Sequence, residues 1–305
     1  MSCTAVDDPA GVCANCGKNG NSEGGAVKLK NCTACLLVQY CGVECQKAHR
    51  KLHKKACKQR AAELKDEQLY SQGLERPEGD FCSICTLPIP LPIDGHSFFN
   101  VCCMTRVCNG CRISFSQATC AFCRTPRPKN DSASLAMVQK RVDARDAEAM
   151  AYLGNTYHKG QLGLEKNVQR AIEMWTKAAE LGSNKACYEL GRLYILGDDV
   201  GQDEAKGIGY WKRAATKGDV LSRYSLGVAE GNRGNHQQGL KHILISAKMG
   251  HKESLDTIQE MFTVGFATNE YYAEALEGYQ EAVEETKSHQ RDEANAELRA
   301  FRGRK

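Results

Sequence analysis

Two kinds of patterning divide the chain. From about residue 146 onward, apolar side chains recur at helical spacing. Ile172, Trp175 and Ala179 fall on one helix face, and Ile208, Trp211 and Ala215 on another. Laying the chain against itself brings out a period. LGNTYHKG at 153–160 aligns with LGRLYILG at 190–197, an offset of 37, and AIEMWTKAAELG at 171–182 aligns with GIGYWKRAATKG at 207–218, an offset of 36. A third copy, SLGVAEGNRG at 225–234 followed by GLKHILISAKMG at 239–250, has a shorter connection, and HKESLDTIQEMF begins a fourth at 251. A period of this length predicts stacked helix pairs that bury their apolar faces against their neighbours. Leu153 with Tyr157 and Leu190 with Tyr194 mark the first helix of a pair. Gly182, Gly218 and Gly250 end the second, where glycine tolerates a left-handed cap. Trp175 and Trp211 read as inter-helix packing, and Cys187 as a buried helix residue. Residues 269–301 place Tyr272, Leu276, Tyr279 and Val283 on one face, which predicts one long helix capping the stack.

Before residue 128 lie two cysteine-rich stretches, and the first, residues 13–57, has few large apolar groups, so folding there should depend on metal rather than on core size. The expected organisation is a flexible N-terminus over 1–10, a first cysteine module over 11–60, a helical linker over 61–80 that ends in GLERPEGD, and a second cysteine module over 81–128. A linker and first helix over 129–145, repeats over 146–265 and a capping helix with tail over 266–305 complete it.

The composition is that of a soluble chain, 305 residues with 42% hydrophobic and 26% charged positions, without a transmembrane-length apolar run or a secretory leader. These features predict an intracellular protein, in cytoplasm or nucleus, with no membrane association. In a reducing compartment, 17 cysteines point to metal rather than disulfides. Cys13/Cys16, Cys32/Cys35, Cys82/Cys85, Cys108/Cys111 and Cys120/Cys123 are all C-x-x-C pairs, a spacing that lets a tight turn aim two sulfurs at one tetrahedral ion. Cys41, Cys45, His53, Cys57, Cys102 and Cys103 complete 16 ligands, enough for four Zn²⁺. On a short helix, Cys41/Cys45 and His53/Cys57 would each supply two ligands from one side. The formal net charge of +4 counts cysteines as neutral; bound as thiolates they make the loaded protein negative, so the overall charge does not argue for nucleic acid. The basic run from Lys47 to Arg60 reads as a solvated helix face before it reads as a nucleic-acid patch. No Walker motif, G-x-S-x-G or H-E-x-x-H is present.

Residues 13–57, CANC…CTAC…YCGVECQKAHRKLHKKAC, resemble a MYND zinc finger. The resemblance implies interleaved pairing, with Cys13, Cys16, Cys41 and Cys45 on one zinc and Cys32, Cys35, His53 and Cys57 on the other. The spacing alone also allows sequential pairing, and His49 is an alternative to His53. MYND fingers bind short proline-containing peptides; Gln46 matches the family's groove glutamine, while Arg50 stands where the family often has Trp.

Residues 82–123 resemble a RING finger of the eight-cysteine kind. That implies Cys82, Cys85, Cys108 and Cys111 on one zinc and Cys102, Cys103, Cys120 and Cys123 on the other. Adjacent cysteines chelate one ion only with a bent backbone, and His96 is the substitute should one of them not bind. By the same resemblance Ile84, Phe115 and Arg124 are candidate contacts to a ubiquitin-conjugating enzyme, with Ala121 replacing a frequent proline. The insert LPIPLPID at 87–94 reads as a rigid loop.

The repeats resemble Sel1-type repeats, relatives of tetratricopeptide repeats, and imply a partner-binding solenoid. The expected fold is multidomain: two small zinc-stabilised cross-brace modules followed by an all-α solenoid. The expected function is a zinc-binding adaptor for proteins or short peptides. The alternative is a RING-type ubiquitin ligase whose solenoid or finger recruits substrate, and a nucleic-acid regulator is the least favoured reading.

Overall fold

A computed structural model describes residues 11–20, 28–115, 118–197 and 199–302. The chain divides into two units, Met1–Ser71 and Gln72–Lys305. Among the described residues, no helix is long and apolar enough to cross a membrane.

In the first unit, β1 (Lys30–Asn31) pairs antiparallel with β2 (Gln39–Tyr40), followed by α1 (Val43–Ser71). Cys13, Cys32, Cys35, Val38 and Tyr40 form its small core. Two expectations are corrected here. Cys41 lies in a bend before α1 rather than on a helix with Cys45, because Gly42 intervenes. The ligand helix is also not short. It runs unbroken for 29 residues, across the expected boundary at 60/61. Residues 58–71 contain neither Gly nor Pro, and Arg60 pairs with Glu63 at 3.1 Å and Glu67 at 2.6 Å on the exposed face.

The second unit opens with a segment anchored by Arg223, which is fully buried and donates from Nη2 to the carbonyl of Gln72. A 3₁₀ turn at Glu78–Asp80 leads into the second cysteine module. There α2 (Ile93–His96) precedes the antiparallel hairpin of β3 (Ser97–Asn100) and β4 (Thr105–Cys108), and α3 (Asn109–Ile113) follows it. After α4 (Asp131–Asp143) come the antiparallel pairs α5 (Ala147–Lys159) with α6 (Val168–Glu180), α7 (Asn184–Leu196) with α8 (Glu204–Ala215), and α9 (Val220–Asn232) with α10 (His236–Lys248). α11 (Lys252–Thr263) and α12 (Asn269–Glu285) close the stack against α10, and α13 (His289–Arg302) follows.

The helix starts follow from local chemistry. Asn130, Asp146, Asn167, Ser183, Asp203 and Asp219 each accept a backbone N–H in the first turn of the helix they cap. Gly182, Gly218 and Gly250 carry positive φ values of 100°, 85° and 90° just past the second helices. Packing follows the repeat as well. Trp175 and Trp211 are buried, and each lies against a glycine on the preceding helix of its pair, Gly154 and Gly191. In the third copy Gly227 faces Ile243 in the same way. The Trp175 indole N–H is satisfied by Asn155 Oδ1 at 2.9 Å and that of Trp211 by the Tyr188 carbonyl at 3.2 Å.

The C-terminus departs from expectation. Residues 269–301 form two helices, not one. Thr286 ends α12, and Ser288 Oγ accepts the Arg291 N–H at 3.3 Å to start α13. α12 caps the solenoid, whereas α13 packs on α3 of the cysteine module. The approach is close enough to require Gly110, since a Cβ there would come 2.9 Å from the Gln290 carbonyl. The module is further tied to the repeats by a shared cluster of Met104, Val138, Ala149 and Leu153, and by Phe99 stacked on Tyr152 at 5.2 Å.

Two stability outcomes follow. In Gly154→Ala the new Cβ would lie 2.5 Å from Trp175 Cδ1, so the variant should lose about 1–3 kcal/mol in thermal or denaturant unfolding. Gly201→Ala, with nothing within 4 Å, should melt with the wild type. Equal melting of the two variants would disprove the packing role.

His242 is buried with Nδ1 3.4 Å from Arg223 Nη1. Burial first, then Arg223 and Lys212, push its pKa from 6.5 down to about 3. The unfolded chain therefore takes up a proton that the folded one refuses, and this contribution to stability falls as pH drops from 6.5 towards 3. Between pH 7 and 5 the wild type should lose about 2 kcal/mol more than His242→Gln. Identical pH profiles would place the proton elsewhere.

Candidate metal centres

The structure gathers sixteen donor side chains into four quartets: Cys13, Cys16, Cys41, Cys45; Cys32, Cys35, His53, Cys57; Cys82, Cys85, Cys108, Cys111; and Cys102, Cys103, Cys120, Cys123. Within each, all donor atoms lie within 4.8 Å of one another. In both modules the pairs interleave along the chain, so each quartet joins segments separated by a stretch that serves the other.

Four of the C-x-x-C pairs share one turn. The N–H four residues after the first cysteine returns to that cysteine's carbonyl: Gly17 to Cys13, Leu36 to Cys32 and Thr86 to Cys82 at 2.9 Å, and Arg124 to Cys120 at 3.0 Å. The closing residue is left-handed each time, with φ of 70°, 59°, 57° and 62°. Three of the four are not glycine, a strain of order 1–2 kcal/mol each that persists where surrounding structure over-determines the turn. Cys108/Cys111 differ: Cys108 caps α3, its sulfur accepting the Cys111 N–H at 3.5 Å. Adjacent Cys102 and Cys103 converge because they sit in the β3–β4 turn. The Asn100 carbonyl accepts N–H groups from Cys103 at 3.3 Å and Met104 at 2.8 Å, and Met104 turns left-handed at φ 55°.

The geometry fits zinc. Four sulfurs about 2.3 Å from a tetrahedral centre lie about 3.8 Å apart. The observed Sγ separations are 3.6 Å for Cys16–Cys41, 3.7 Å for Cys32–Cys57, 3.9 Å for Cys85–Cys108 and 3.8 Å for Cys103–Cys120. They are far from the roughly 2.05 Å of a disulfide. His53 Nε2 lies 3.2 Å from Cys35 Sγ. His49 is instead a neighbour, stacked on His53 at 5.8 Å with Nδ1 3.1 Å from the Tyr40 hydroxyl. His96 is outside the fourth quartet, which holds both Cys102 and Cys103.

The surroundings split the ligands: burial and neighbouring sulfurs push Cys57, Cys102, Cys108 and Cys111 up, whereas hydrogen bonds favour the thiolate at Cys13, Cys32, Cys82 and Cys123. Burial alone would raise the Cys13 pKa, but backbone N–H groups of Cys16, Cys41 and Asn15 bring it down to about 6. The Cys108 thiol, together with backbone N–H groups of Cys108, Cys85 and Ile84, brings Cys82 to about 4 against the burial cost. Outer partners add to this. Thr105 and Thr125 hydroxyls lie 3.0 Å and 3.2 Å from Cys103 and Cys123 sulfurs, and Arg141 Nε donates to the Cys102 carbonyl at 3.3 Å. From α13, the buried Arg291 donates to the carbonyls of Pro88 at 2.6 Å and Leu87 at 3.1 Å and to Cys85 Sγ at 3.4 Å.

The pattern read from the sequence did not include these outer groups. A cysteine followed two residues later by Thr occurs at both Cys103 and Cys123 and could have signalled the hydroxyls. Arg291, about two hundred residues from the loop it holds, has no local signal.

The other candidate residues fall in several places. Ile84 packs half-buried on the Cys82/Cys108 core. The Arg124 guanidinium lies 5.6 Å from the centre of the Phe115 ring, so those two meet. Gln46 is half-buried in the first turns of α1, one helical turn from the exposed Val43.

Comparison with known proteins finds two families within the chain. The MYND-finger family matches residues 13–57, and the Sel1-repeat family matches 147–183 and 184–219, the α5–α6 and α7–α8 pairs. The chain is similar to chitin synthase regulator SKT5 of Saccharomyces cerevisiae, 26% identical over 49% of this chain and 23% of that protein. It is likewise similar to DAP3-binding cell death enhancer 1 of Rattus norvegicus, 30% identical over 36% of this chain and 22% of that one. It thus spans under a quarter of either relative's length. A crystal structure of a Sel1 repeat protein from Oxalobacter formigenes superposes with TM-score 0.44 and 25% identity, covering 50% of this chain and 63% of that one. The chain therefore combines a MYND finger and further cysteine clusters that could hold zinc with Sel1 repeats, modules of protein interaction.

Metal analysis of the purified protein should give about four zinc per chain, and Cys103→Ser about three. Two or fewer in the wild type would overturn the quartets as metal centres.

Proposed function

We propose that this protein is an intracellular zinc-stabilised adaptor, with the sixteen quartet side chains as ligands. Its MYND finger takes short peptides past Gln46, and its solenoid holds a second partner. Linking weak sites on one chain raises avidity without new contacts. The observation that carries the adaptor reading is the docking of α13 on α3, with Arg291 bonded to the loop at Cys85–Pro88. The RING-like module is thereby part of the solenoid's framework, held at both of its metal centres by helices outside it.

A second reading is a RING-type ubiquitin ligase. It is supported by the meeting of Phe115 and Arg124, which leaves an exposed cation beside an aromatic surface. Such a ligase acts by orienting a ubiquitin-loaded conjugating enzyme rather than by covalent chemistry of its own. Nucleic-acid binding by the basic face of α1 is the least favoured reading: Lys47 is paired with Glu44 and Arg60 with two glutamates, while Arg50, Lys51, Lys54, Lys55 and Lys58 are exposed on the helix.

Zinc-loaded protein incubated with a panel of conjugating enzymes should build no ubiquitin chains. Chain formation that collapses in both Ile84→Ala and Arg124→Ala would replace the adaptor by the ligase. On the adaptor reading, proline-containing peptides should bind the wild type and bind Gln46→Ala several-fold more weakly.

A further inference from the structure

Between the second cysteine module and the solenoid lies a cavity of about 520 Å³, within the range of roughly 300–1,000 Å³ usual for ligand sites. The repeats alone do not make it. One wall is the segment running from Pro77 through Leu91 and Pro92, with Arg106 of β4; the other is the row of first turns of α5, α7, α9 and α11. Leu91, Pro92, Tyr188, Val220 and Leu221 supply apolar surface.

The polar lining is unbalanced. Six carboxylates face this space, from Asp80, Asp94, Glu148, Glu189, Asp219 and Glu253, against the two cations Arg106 and Lys185. Part of that charge is already answered. Asp94 pairs with Arg106 at 2.8 Å, Asp80 with Arg76 at 3.2 Å and Glu189 with Arg192 at 3.2 Å. Among the described residues the remaining three have no ion-pair partner of fixed charge within 4 Å, although Lys185 acts on Glu148 at longer range. Glu148 accepts the Ser183 hydroxyl at 2.7 Å, and Asp219 the Ser222 N–H at 2.7 Å. Glu253 lies 3.3 Å from His251, whose burial favours the neutral ring. Burial, with Asp80 and Glu189 close enough to repel it, pushes Asp219 up to about 6.

A separate observation points the same way. Asn184 lines the cavity, and its Nδ2 donates to the Lys217 carbonyl at 3.2 Å. Its Oδ1, an acceptor, is shut off from water with no hydrogen-bond partner among the described residues. A buried acceptor left unpaired carries a desolvation cost that an incoming donor removes. The cavity therefore holds more carboxylates than cations and an acceptor without a donor, and it has an apolar wall for a long side-chain stem.

We propose that this cavity binds a basic peptide segment of a partner protein, an arginine or lysine flanked by apolar residues. The guanidinium or ammonium group faces Asp219, Glu253 and Asn184 Oδ1, and the flanking residues lie on Leu91, Pro92 and Leu221. Arginine fits best, because its planar fork offers several donors at once to carboxylate and amide acceptors. The proposal rests on the adaptor reading and specifies the chemistry of one of its partners.

The test is a selection from a random heptapeptide display library on the full-length, zinc-loaded protein, run in parallel on Asp219→Asn/Glu253→Gln. Asparagine keeps the helix-capping acceptor at 219, and Glu253 is exposed, so the double variant should melt with the wild type. The wild type should enrich peptides with a central Arg or Lys between apolar residues. Individual winners should bind the variant at least tenfold more weakly, and replacing their basic residue by Gln should cost a similar factor. Selection of only proline-containing peptides, equally by both proteins, would overturn the cavity proposal while leaving the adaptor standing. Enrichment of acidic or phosphorylated sequences lost in Lys185→Gln would overturn it in favour of an anionic ligand. Selection of no peptide by either protein would remove the cavity proposal and the peptide-binding reading together.

Discussion

Gathering four cysteine sulfurs, or three and an imidazole, within 4.8 Å of each other is feasible only if something positive sits among them once they ionise. That constraint governs the two cysteine modules. Neither cysteine module has an apolar core large enough to fold by burial alone: the first relies on Val38 and Tyr40 beside its ligands, and the second on Ile89 and Val107. The metal supplies the missing cohesion, and left-handed turns at Leu36, Thr86 and Arg124 are strain that the coordinated state can hold. It also explains why Arg124 has a structural duty as the residue closing a turn, whatever it touches on its exposed side.

The solenoid is held by a different economy, the filling of space between paired helices. A glycine on the first helix and a tryptophan on the second are complementary volumes repeated at an offset of 37 and 36 residues, in two successive copies. In the third, Gly227 remains while Ile243 replaces the indole. The smaller side chain accompanies a shorter connection and a departure into α11 and α12, where the stack ends.

These two systems are not independent within Gln72–Lys305. The hairpin that carries Cys102 and Cys103 buries Met104 against α4 and α5, and α13 returns from the end of the solenoid to hold the Cys85 loop through Arg291. The cysteine module thus closes a surface of the repeats, and the acidic cavity is the space left between them. A guanidinium against a metal-site loop, rather than a hydrophobic seam, suits a contact with sulfur ligands, since it answers their negative charge while satisfying two carbonyls.

Sequence alone was enough for the helix pairs, their glycine stops and the spacing of the metal-binding cysteines, because each depends on residues close in the chain. Period, capping side chains and C-x-x-C turns are local matters. The resemblance to a MYND finger carried the interleaving that spacing left open, and the structure brings the same ligands together. Distant geometry was not legible. Nothing near Cys102 and Cys103 announces that Asn100 and Met104 bend the hairpin enough for adjacent sulfurs to converge. A continuous apolar face from Tyr272 to Val283 gave no warning that the helix ends at Thr286, since the break is stabilised by Ser288 and by where α13 then packs. Gly110 and Arg291 acquire their roles only when segments about 180 to 200 residues apart meet. The cavity's excess of carboxylates likewise exists only in three dimensions, because its six acids come from five separate stretches of chain whose local charge is unremarkable.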